Sequence, residues 1–355
     1  MTPDLGKLFF DLSDCSFLDG RSILVTGGTG SFGKRLVEFL LDHATCRRLI
    51  VFSRDELKQF EMQAALAAHP NKDCLRFFLG DIRDYDRLLT ALHGVDFVIH
   101  AAAQKQVVAS EYNPMECMKT NVNGADNLVR AAIANNVRRV VALSTDKAVN
   151  PINLYGASKL ASDKILIAAN NVSGAQGTRF SIVRYGNVIG SRGSVVPVFQ
   201  KAIKENEGVL PITDPRMTRF WISLDQGVTL VLSSLKDIVG GEIIVPKLPS
   251  VRIADLATAL APGIEHRIIG IRPGEKLHEL MLTTDDARAT IDLGDRYLVK
   301  PQFAYWGVDA FEGSAWPKGH PVDEDFSYQS DTNPDLLAGP QLMQFVSQFI
   351  KDGPG

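Results

Sequence analysis

A tyrosine and a lysine four positions apart, Tyr155 and Lys159, are well suited to proton transfer. On a helix such residues share one face, so the ammonium would stabilise the phenolate and lower the pKa of the phenol. A tyrosine activated in this way can act as a base near neutral pH. Just upstream, the segment Ser144-Thr145-Asp146-Lys147 follows an apolar run and supplies hydroxyls, a carboxyl and a second amine. Together the two segments predict an acid–base site.

A glycine-rich segment, Thr26-Gly27-Gly28-Thr29-Gly30-Ser31-Phe32-Gly33, separates an apolar run from an amphipathic stretch. Glycines allow a tight turn and a close approach of the backbone to a pyrophosphate, and the following helix offers free N–H groups. The pattern alone is weak, and a glycine-rich turn that binds nothing is the plain alternative. Its place between a strand and a helix favours dinucleotide binding.

The end of the second apolar run distinguishes the two nicotinamide cofactors. An NAD site usually has an acid about 20 residues past the glycine loop, where it binds the ribose 2′-hydroxyl. Here that position is Ser53, followed by Arg54, and Ser53-x-x-Glu56 has the form of a helix-capping box. With Arg54 and Lys58 near the tip we expect NADP, whose 2′-phosphate needs cations. The alternative is that Arg54 is a solvated surface charge.

The elements that must position these residues follow a regular alternation. Short apolar runs at 23–25, 49–52, 75–78, 97–100, 140–143 and 181–184 alternate with longer amphipathic stretches. This pattern predicts βαβ units and an α/β fold with a Rossmann-like, doubly wound parallel sheet. Ligands bind at the carboxyl edge of such a sheet. Asp81 and Ile82 follow the third run, so we expect them beside an adenine, although Asp81 could be only a turn acid.

The alternation of apolar runs and amphipathic stretches ends near residue 187, where segments rich in proline and glycine begin. We therefore divide the chain into an N-terminal leader (1–20), an NADP-binding domain (21–186), a smaller substrate-binding lobe (187–300) and an irregular C-terminal segment (301–355). Some chain of the second lobe is expected to return to the first domain.

Composition excludes several other classes of protein. The 355 residues are 45% hydrophobic and 22% charged, with a formal net charge of −3, so no basic excess indicates nucleic acid or an anionic membrane. The four cysteines are scattered, which argues against a zinc site or a disulfide framework and favours a reducing cytoplasm. No apolar stretch reaches about 18 residues and no basic leader is present, so neither a membrane span nor a signal peptide is expected.

These motifs resemble the inverting UDP-N-acetylglucosamine 4,6-dehydratases, of the polysaccharide biosynthesis type within the extended short-chain dehydrogenase/reductase superfamily. The resemblance covers about residues 20–290. The Asp146-Lys147 pair is its most specific part, because retaining hexose dehydratases of the superfamily have Asp-Glu there. Besides the segments quoted above, it is carried by Phe52-Ser-Arg-Asp-Glu, His100-Ala-Ala-Ala-Gln-Lys105-Gln, Arg184-Tyr-Gly-Asn187-Val-Ile-Gly-Ser-Arg-Gly, Asp214-Pro-Arg216-Met-Thr-Arg219-Phe, Arg272-Pro-Gly-Glu275-Lys276 and Ser330-Asp-Thr-Asn333.

The resemblance implies a role for each catalytic candidate. Tyr155, aided by Lys159 and Thr145, would remove the proton of the sugar 4-hydroxyl while hydride leaves C4. Lys147, as a neutral amine, would then take the C5 proton, and protonated Asp146 would supply the proton for the departing 6-hydroxyl. For this we expect burial, Lys159 and the cofactor charge to lower the pKa of Lys147. The product would be UDP-2-acetamido-2,6-dideoxy-β-L-arabino-hex-4-ulose, a first intermediate toward pseudaminic acid or a related bacterial surface sugar.

The resemblance also implies the binding residues and partners. We expect a bound NADP that is regenerated in each turnover, a UDP-N-acetylglucosamine substrate, and a homo-oligomer such as a hexamer. Arg216 and Arg272 are the better candidates for the diphosphate, since arginine forks suit it, although plain salt bridges are the alternative. The cofactor candidates are Thr26, Gly27, Thr29, Gly30, Ser31, Phe32, Gly33, Ser53, Arg54, Lys58, Asp81, Ile82, Ala101, Ala102, Ala103, Lys105, Tyr155 and Lys159. The substrate candidates are Lys105, Thr145, Asn187, Val188, Arg216, Met217, Arg219, Arg272 and Glu275.

Three other functions remain open on the sequence. A UDP-hexose 4-epimerase or C5-epimerase would share Tyr155 and Lys159 but would not need Asp146-Lys147 to expel water. A retaining 4,6-dehydratase would differ at C5. A non-catalytic NADP-sensing regulator usually lacks the tyrosine–lysine pair, which this chain keeps.

Overall fold

The computed structural model describes residues 8–174, 177–190, 195–205, 208–303, 314, 316 and 319–351. Up to residue 185 the chain alternates strands and helices, as predicted. A π-helical turn, Lys119–Asn123, joins the fifth helix to the sixth. In order, the elements are β1 (Ser22–Thr26), α1 (Ser31–His43), β2 (Arg48–Ser53), α2 (Glu56–Ala65), β3 (Leu75–Leu79), α3 (Tyr85–Ala91), β4 (Phe97–His100), α4 (Val107–Tyr112), α5 (Pro114–Met118), α6 (Gly124–Ala134), β5 (Arg139–Thr145), α7 (Leu154–Ser173) and β6 (Arg179–Tyr185).

The remaining chain contains shorter elements. They are β7 (Asn187–Val188), α8 (Val195–Lys204), β8 (Val209–Ile212), β9 (Thr218–Ile222), α9 (Leu224–Asp237), β10 (Ile243–Pro246), β11 (Ser250–Arg252), α10 (Ile253–Leu260), β12 (Glu265–Ile268), β13 (Leu280–Leu282), α11 (Thr284–Ala287), β14 (Thr290–Asp292), β15 (Arg296–Val299), β16 (His320–Pro321), β17 (Tyr328–Gln329), β18 (Leu336–Leu337) and α12 (Gly339–Lys351). None of these helices, within the described ranges, is long and apolar enough to cross a membrane.

A ten-stranded sheet in the order β16-β14-β15-β10-β6-β5-β4-β1-β2-β3 forms the centre of the molecule. The strands from β10 to β3 pair in parallel, and β15, β14 and β16 continue the sheet in antiparallel fashion. This confirms the Rossmann-like, doubly wound fold. Strand order reverses between β1 and β4, and in open α/β sheets a crevice for ligands opens at that point.

The inner strands are buried along most of their length. All five residues of β1 are buried, as expected for a parallel strand covered by helices on both faces. Helix α9 packs against α1, and β10 extends the parallel sheet beside β6. Chain from beyond residue 187 therefore completes one edge and one face of the dinucleotide-binding half. Phe10, Cys15 and Leu18 are also buried in this core, so the described part of the N-terminal leader belongs to it.

A second, smaller core lies under the sheet β18-β11-β9-β7 and includes Phe199, Trp221, Leu256 and Phe345. Our expectation of irregular structure after residue 301 is wrong for α12. Its Leu342, Phe345 and Val346 follow a helical spacing and are buried in the second core. Residues 304–313 of the same segment lie outside the described residues.

Candidate active site

A cavity of about 970 Å³ runs along the carboxyl edge of the parallel strands and is lined by residues of both cores. Every predicted site residue lines it except Thr26, Asp146 and Arg216. The glycine loop and the Ser53 tip form one end. Tyr155, Lys147 and the residues after β6 form the other. The topology alone accounts for this convergence, because the strands that carry these residues end at the same edge of the sheet.

The glycine loop joins β1 directly to the start of α1. Gly27 has a φ of +65°, and a Cβ there would lie 2.8 Å from the Ala102 nitrogen, so only glycine fits. Helix α1 begins after Gly30, and no side chain caps it. Its first N–H groups are therefore available to an anion in the cavity.

The tip of β2 differs in detail from the predicted capping box. Asp55, not Ser53, caps α2 by accepting a hydrogen bond from the Lys58 N–H at 3.0 Å. The Asp55 carboxylate also pairs with the Lys58 ammonium at 2.5 Å. Ser53 instead bonds through its hydroxyl to Thr29 in the glycine loop, at 2.8 Å. Arg54 has a side chain that is 65% exposed and lies 3.7 Å from Asp81, so its guanidinium is only loosely held.

Helix α7 presents Tyr155 and Lys159 on its buried side. Asn153 caps this helix by accepting from the Gly156 N–H at 2.7 Å, and its amide donates to the Gly274 carbonyl. A Cβ on Gly156 would lie 2.1 Å from the Lys147 carbonyl oxygen. The helix start is therefore pressed against the turn Asp146–Ala148 that follows β5.

The protonation of Tyr155 differs from the expectation. Burial raises the pKa of the phenol to about 12, and the opposing influence comes from Lys147 and the hydrogen bond with Thr145. We expected Lys159 to lower this pKa. Burial lowers the pKa of Lys159 itself, and Asp163, one helical turn further on, opposes that shift. The nearby cation that favours the phenolate is thus Lys147.

Lys147, which is half-buried, faces two buried carboxylates. Its ammonium donates to the Asp146 carboxylate at 3.1 Å and pairs with Glu279 at 3.1 Å. Burial opposes the charge, but Asp146 and Glu279 outweigh it and raise the pKa of the ammonium. The expectation of a lowered pKa for Lys147 is therefore wrong for this structure, because the carboxylates of Asp146 and Glu279 both face the amine. We had expected Asp146 to be protonated and had not foreseen Glu279.

Asp146 and Thr26 lie beneath the cavity wall rather than in it. Asp146 is fully buried and accepts from the Thr145 hydroxyl at 2.9 Å. Its Oδ2 has no hydrogen-bond partner among the described residues. Thr26 bonds through its hydroxyl to His100 at 2.7 Å and accepts from the Ala102 N–H, so it fixes the strand end. Burial and Lys159 lower the pKa of His100 to about 3, which leaves a neutral structural ring.

The predicted substrate arginines have different environments. Arg272 lines the cavity, and its Nη1 lies 3.7 Å from Oε1 of Glu275. Arg216, in contrast, forms a two-pronged ion pair with Asp214 at 2.8 and 3.0 Å, and its side chain is 69% exposed. The short Asp-Pro-Arg turn thus places Arg216 outside the cavity, and its role in substrate binding stays a prediction. Arg219 is buried and donates to the carbonyls of Thr218, Lys276 and Leu277.

Several residues in and around the site were not foreseen. Glu279 and Lys276 line the cavity from the second half of the chain. Asp163 is buried behind Lys159 and accepts from the Ser144 hydroxyl at 2.6 Å. For Asp163 the spacing of four from Lys159 was a usable signal. Glu279 had no local signal, since its partner Lys147 belongs to a distant segment.

The sequence of this chain is similar to a known protein family and to enzymes that act on sugar nucleotides. A sequence profile described as polysaccharide biosynthesis protein matches residues 23–301. The chain belongs to this family. One relative, a UDP-N-acetylglucosamine 4,6-dehydratase (inverting) from Campylobacter jejuni, is 52% identical over 93% of this chain and 98% of its own length. A UDP-glucose 4-epimerase from Rickettsia canadensis is 44% identical over 80% of this chain and 83% of its own.

Solved structures share the fold of this member of the polysaccharide biosynthesis family. Pen from Bacillus thuringiensis superposes with a TM-score of 0.83 at 34% identity, covering 94% of this chain and 98% of Pen. DesIV, a dTDP-glucose 4,6-dehydratase from Streptomyces venezuelae, has NAD bound. It superposes with a TM-score of 0.64 at 28% identity, over 72% of this chain and 86% of its own.

Proposed function

We propose that this protein converts UDP-N-acetylglucosamine to UDP-2-acetamido-2,6-dideoxy-β-L-arabino-hex-4-ulose, as a hydro-lyase that inverts C5. The observation that carries the proposal is the position of the Asp146–Lys147 pair beside Tyr155 at one end of the cavity. A carboxyl and an amine are held 3.1 Å apart next to the tyrosine that would oxidise C4. Removal of water needs an acid and a base in addition to that tyrosine. The identity with the Campylobacter jejuni dehydratase supports the same assignment.

The residues present fit a nicotinamide dinucleotide. The tight turn at Gly27 and the uncapped start of α1 form a cradle for its pyrophosphate. Ser53 and Arg54 would face the adenosine ribose, and the loosely held Arg54 favours the 2′-phosphate of NADP. When bound, the nicotinamide would supply a reversible hydride acceptor. Tyr155 and Lys159 would orient it beside the sugar.

The first step assigned to this chain is proton removal from the 4-hydroxyl. Tyr155 accepts that proton as its phenolate, the form that the Thr145 hydrogen bond and the Lys147 charge favour against the effect of burial. Oxidation at C4 produces a ketone, which acidifies the C5 hydrogen. Both changes occur at the same end of the cavity, so the substrate can stay in one position.

The second step is elimination, and the resting Asp146–Lys147 pair already holds the proton that it needs. The ammonium cannot act as a base until it loses a proton. Transfer from Lys147 Nζ to Asp146 Oδ1, across 3.1 Å, produces a neutral amine and a carboxylic acid at once. The amine then takes the C5 proton. Asp146, which lies behind the cavity wall, gives its proton to the departing 6-hydroxyl by way of the Thr145 hydroxyl, which bonds to Asp146 and lines the cavity, and the 6-hydroxyl leaves as water. The net charge of the pair is the same before and after the transfer.

The decisive experiment follows the mass and configuration of the sugar. Purified protein with UDP-N-acetylglucosamine and no added cofactor should form a product that is lighter by one water, because a bound cofactor is regenerated. NMR in deuterated water should show deuterium at C5 and the L-arabino configuration at early times. A Tyr155→Phe variant, which keeps the ring but loses the phenol, is the matched control and should form no product. An unchanged mass would refute the proposal.

A 4-epimerase is the second candidate, and the Rickettsia canadensis relative is the observation in its favour. An epimerase would invert the configuration at C4 and leave the mass of the sugar nucleotide unchanged. A retaining dehydratase would lose water but give the D-xylo configuration at early times, and an NADP-sensing regulator would bind the dinucleotide without turnover. The same experiment separates all four functions.

A further inference from the structure

Glu279 is held rigidly at the start of β13, far in sequence from the acid–base pair. Its N–H donates to the Ser330 hydroxyl at 2.9 Å, and its carbonyl accepts from the Ser330 N–H at 2.9 Å. The Ser330 hydroxyl is in turn bonded to that of Thr218, at 2.7 Å. The backbone of Glu279 is therefore fixed by two neighbouring segments, and this fixes where its carboxylate can lie.

The carboxylate itself is buried but incompletely paired. The Glu279 side chain is 2% exposed, with Oε1 3.1 Å from Lys147 Nζ and 3.6 Å from Arg219 Nε. Its Oε2 is buried without a hydrogen-bond partner among the described residues. A buried carboxylate oxygen left unpaired costs stability. Glu279 also lines the cavity, as Lys147 does. The loss of folding stability from its unpaired oxygen therefore occurs next to the acid–base pair.

The charged and titratable groups that face Lys147 come from four segments. Asp146 and Glu279 are anionic, and Arg219 and Lys276 are cationic, while Tyr155 is the neutral neighbour. Arg219 is engaged by backbone carbonyls, and the Lys276 ammonium is bonded to the Val149 carbonyl. Of these groups only the two carboxylates approach the Lys147 nitrogen to 3.1 Å.

We propose that Glu279 is a positioning residue that keeps the shared proton on Lys147, and so holds the Asp146–Lys147 pair in its resting form until substrate arrives. The inference rests on the proposed function. The negative charge of Glu279 favours the ammonium over the neutral amine. The proton can move to Asp146 once substrate in the cavity displaces the Lys147 amine from its contact with Glu279, which is 3.1 Å in the resting form. A residue that only joined the two cores would have no influence on where this proton lies.

The experiment compares two variants of the full-length protein. Glu279→Gln removes the charge and keeps the shape, whereas Glu279→Asp keeps the charge. Only a neutral amine reacts with acetic anhydride, so at a fixed pH the acetylation rate of Lys147 reports its neutral fraction. Peptide mass spectrometry measures that rate for each lysine. We expect Glu279→Gln to accelerate acetylation of Lys147 at least about tenfold. That factor corresponds to a Lys147 pKa that is lower by roughly one or more. Glu279→Asp should stay within about threefold of the wild type.

Two lysines in the same digest control for other effects. Lys105 lines the same cavity but does not face Glu279, so it reports reagent access. Lys119 pairs with Glu116 on the surface and reports the reagent dose. Equal acetylation of Lys147 in wild type and Glu279→Gln, or equal acceleration in both variants, would overturn the inference. The proposed function fails separately, if the wild type does not dehydrate the sugar nucleotide.

Discussion

The two ends of the cavity carry charges of the same kinds in different settings. At the nucleotide end, Arg54 and Lys58 are exposed, and their partners lie on neighbouring loops or within the same helical turn. At the acid–base end, Asp146 and Glu279 are buried beside Lys147; Asp146 is its neighbour in sequence, and Glu279 comes from a distant part of the chain. Water weakens the interactions of exposed charges, while buried charges act strongly on each other. Removal of one charge should therefore have unequal effects at the two ends.

The largest effect is expected for Lys147→Met, which removes the amine and keeps much of the side-chain length. Loss of a general acid–base group typically costs about 10²- to 10⁴-fold in rate, so dehydration should fall by that factor. C4 oxidation should persist, seen as near-ultraviolet absorbance of reduced nicotinamide after substrate is added.

The structure also decides which substitution is informative at this position. Lys147→Glu would bring a third carboxylate against Asp146 and Glu279, so a loss of activity could reflect repulsion. If Lys147→Met dehydrates at the wild-type rate, the acid–base end has been assigned wrongly and the contrast between the two ends fails.

A smaller effect is expected at the nucleotide end. Arg54→Ala removes one charge-assisted contact to a 2′-phosphate, worth roughly 1.5–3 kcal/mol at most. Because Arg54 is 65% exposed, we expect the lower part of that range, or about tenfold weaker binding of NADP. Binding of NAD should not change. Fluorescence titration of cofactor-free protein measures both.

The matched control for Arg54 is Arg76→Ala, since Arg76 is exposed on β3 and donates to local carbonyls. The wild type provides a further check, because the dinucleotide that it releases on denaturation should be NADP. Release of NAD alone, together with NADP binding that Arg54→Ala leaves unchanged, would show that Arg54 points to solvent.

The smallest effect is expected for a substitution in the second lobe, where two arginines, Arg216 and Arg272, can be compared. Arg216→Ala should leave the KM for UDP-N-acetylglucosamine within about twofold, because its guanidinium is engaged by Asp214 outside the cavity. Arg272→Ala should raise KM more, since Arg272 lines the cavity. Both arginines are exposed, so solvent screening is similar for the pair. A larger KM effect for Arg216 would mean that substrate binding rebuilds the Asp214 loop.

Local sequence patterns were sufficient to predict most of the nucleotide end of the cavity. Gly27 follows β1 and Ser53 is the last residue of the neighbouring parallel strand β2. Such strand ends meet at one edge of the sheet, so the approach of the two residues could be predicted. The capping of α2 could not, since Ser53 and Asp55 are both good caps and the choice depended on the contact of Ser53 with Thr29. The helix α12 had a readable spacing that the proline- and glycine-rich chain before it obscured.

The sequence by itself determined the doubly wound sheet, the glycine loop and the placement of Tyr155 and Lys159 on one buried side of α7, because these depend on short periodicities and on rules that hold for every parallel sheet. Tertiary structure decided the charge state of the acid–base end. Glu279 reaches Lys147 only after β13 packs against the turn that follows β5. The electrostatic energy of a buried amine is set by the charges a few ångströms away. No spacing along the chain reports those distances, so the raised pKa of Lys147 was visible only in the folded protein.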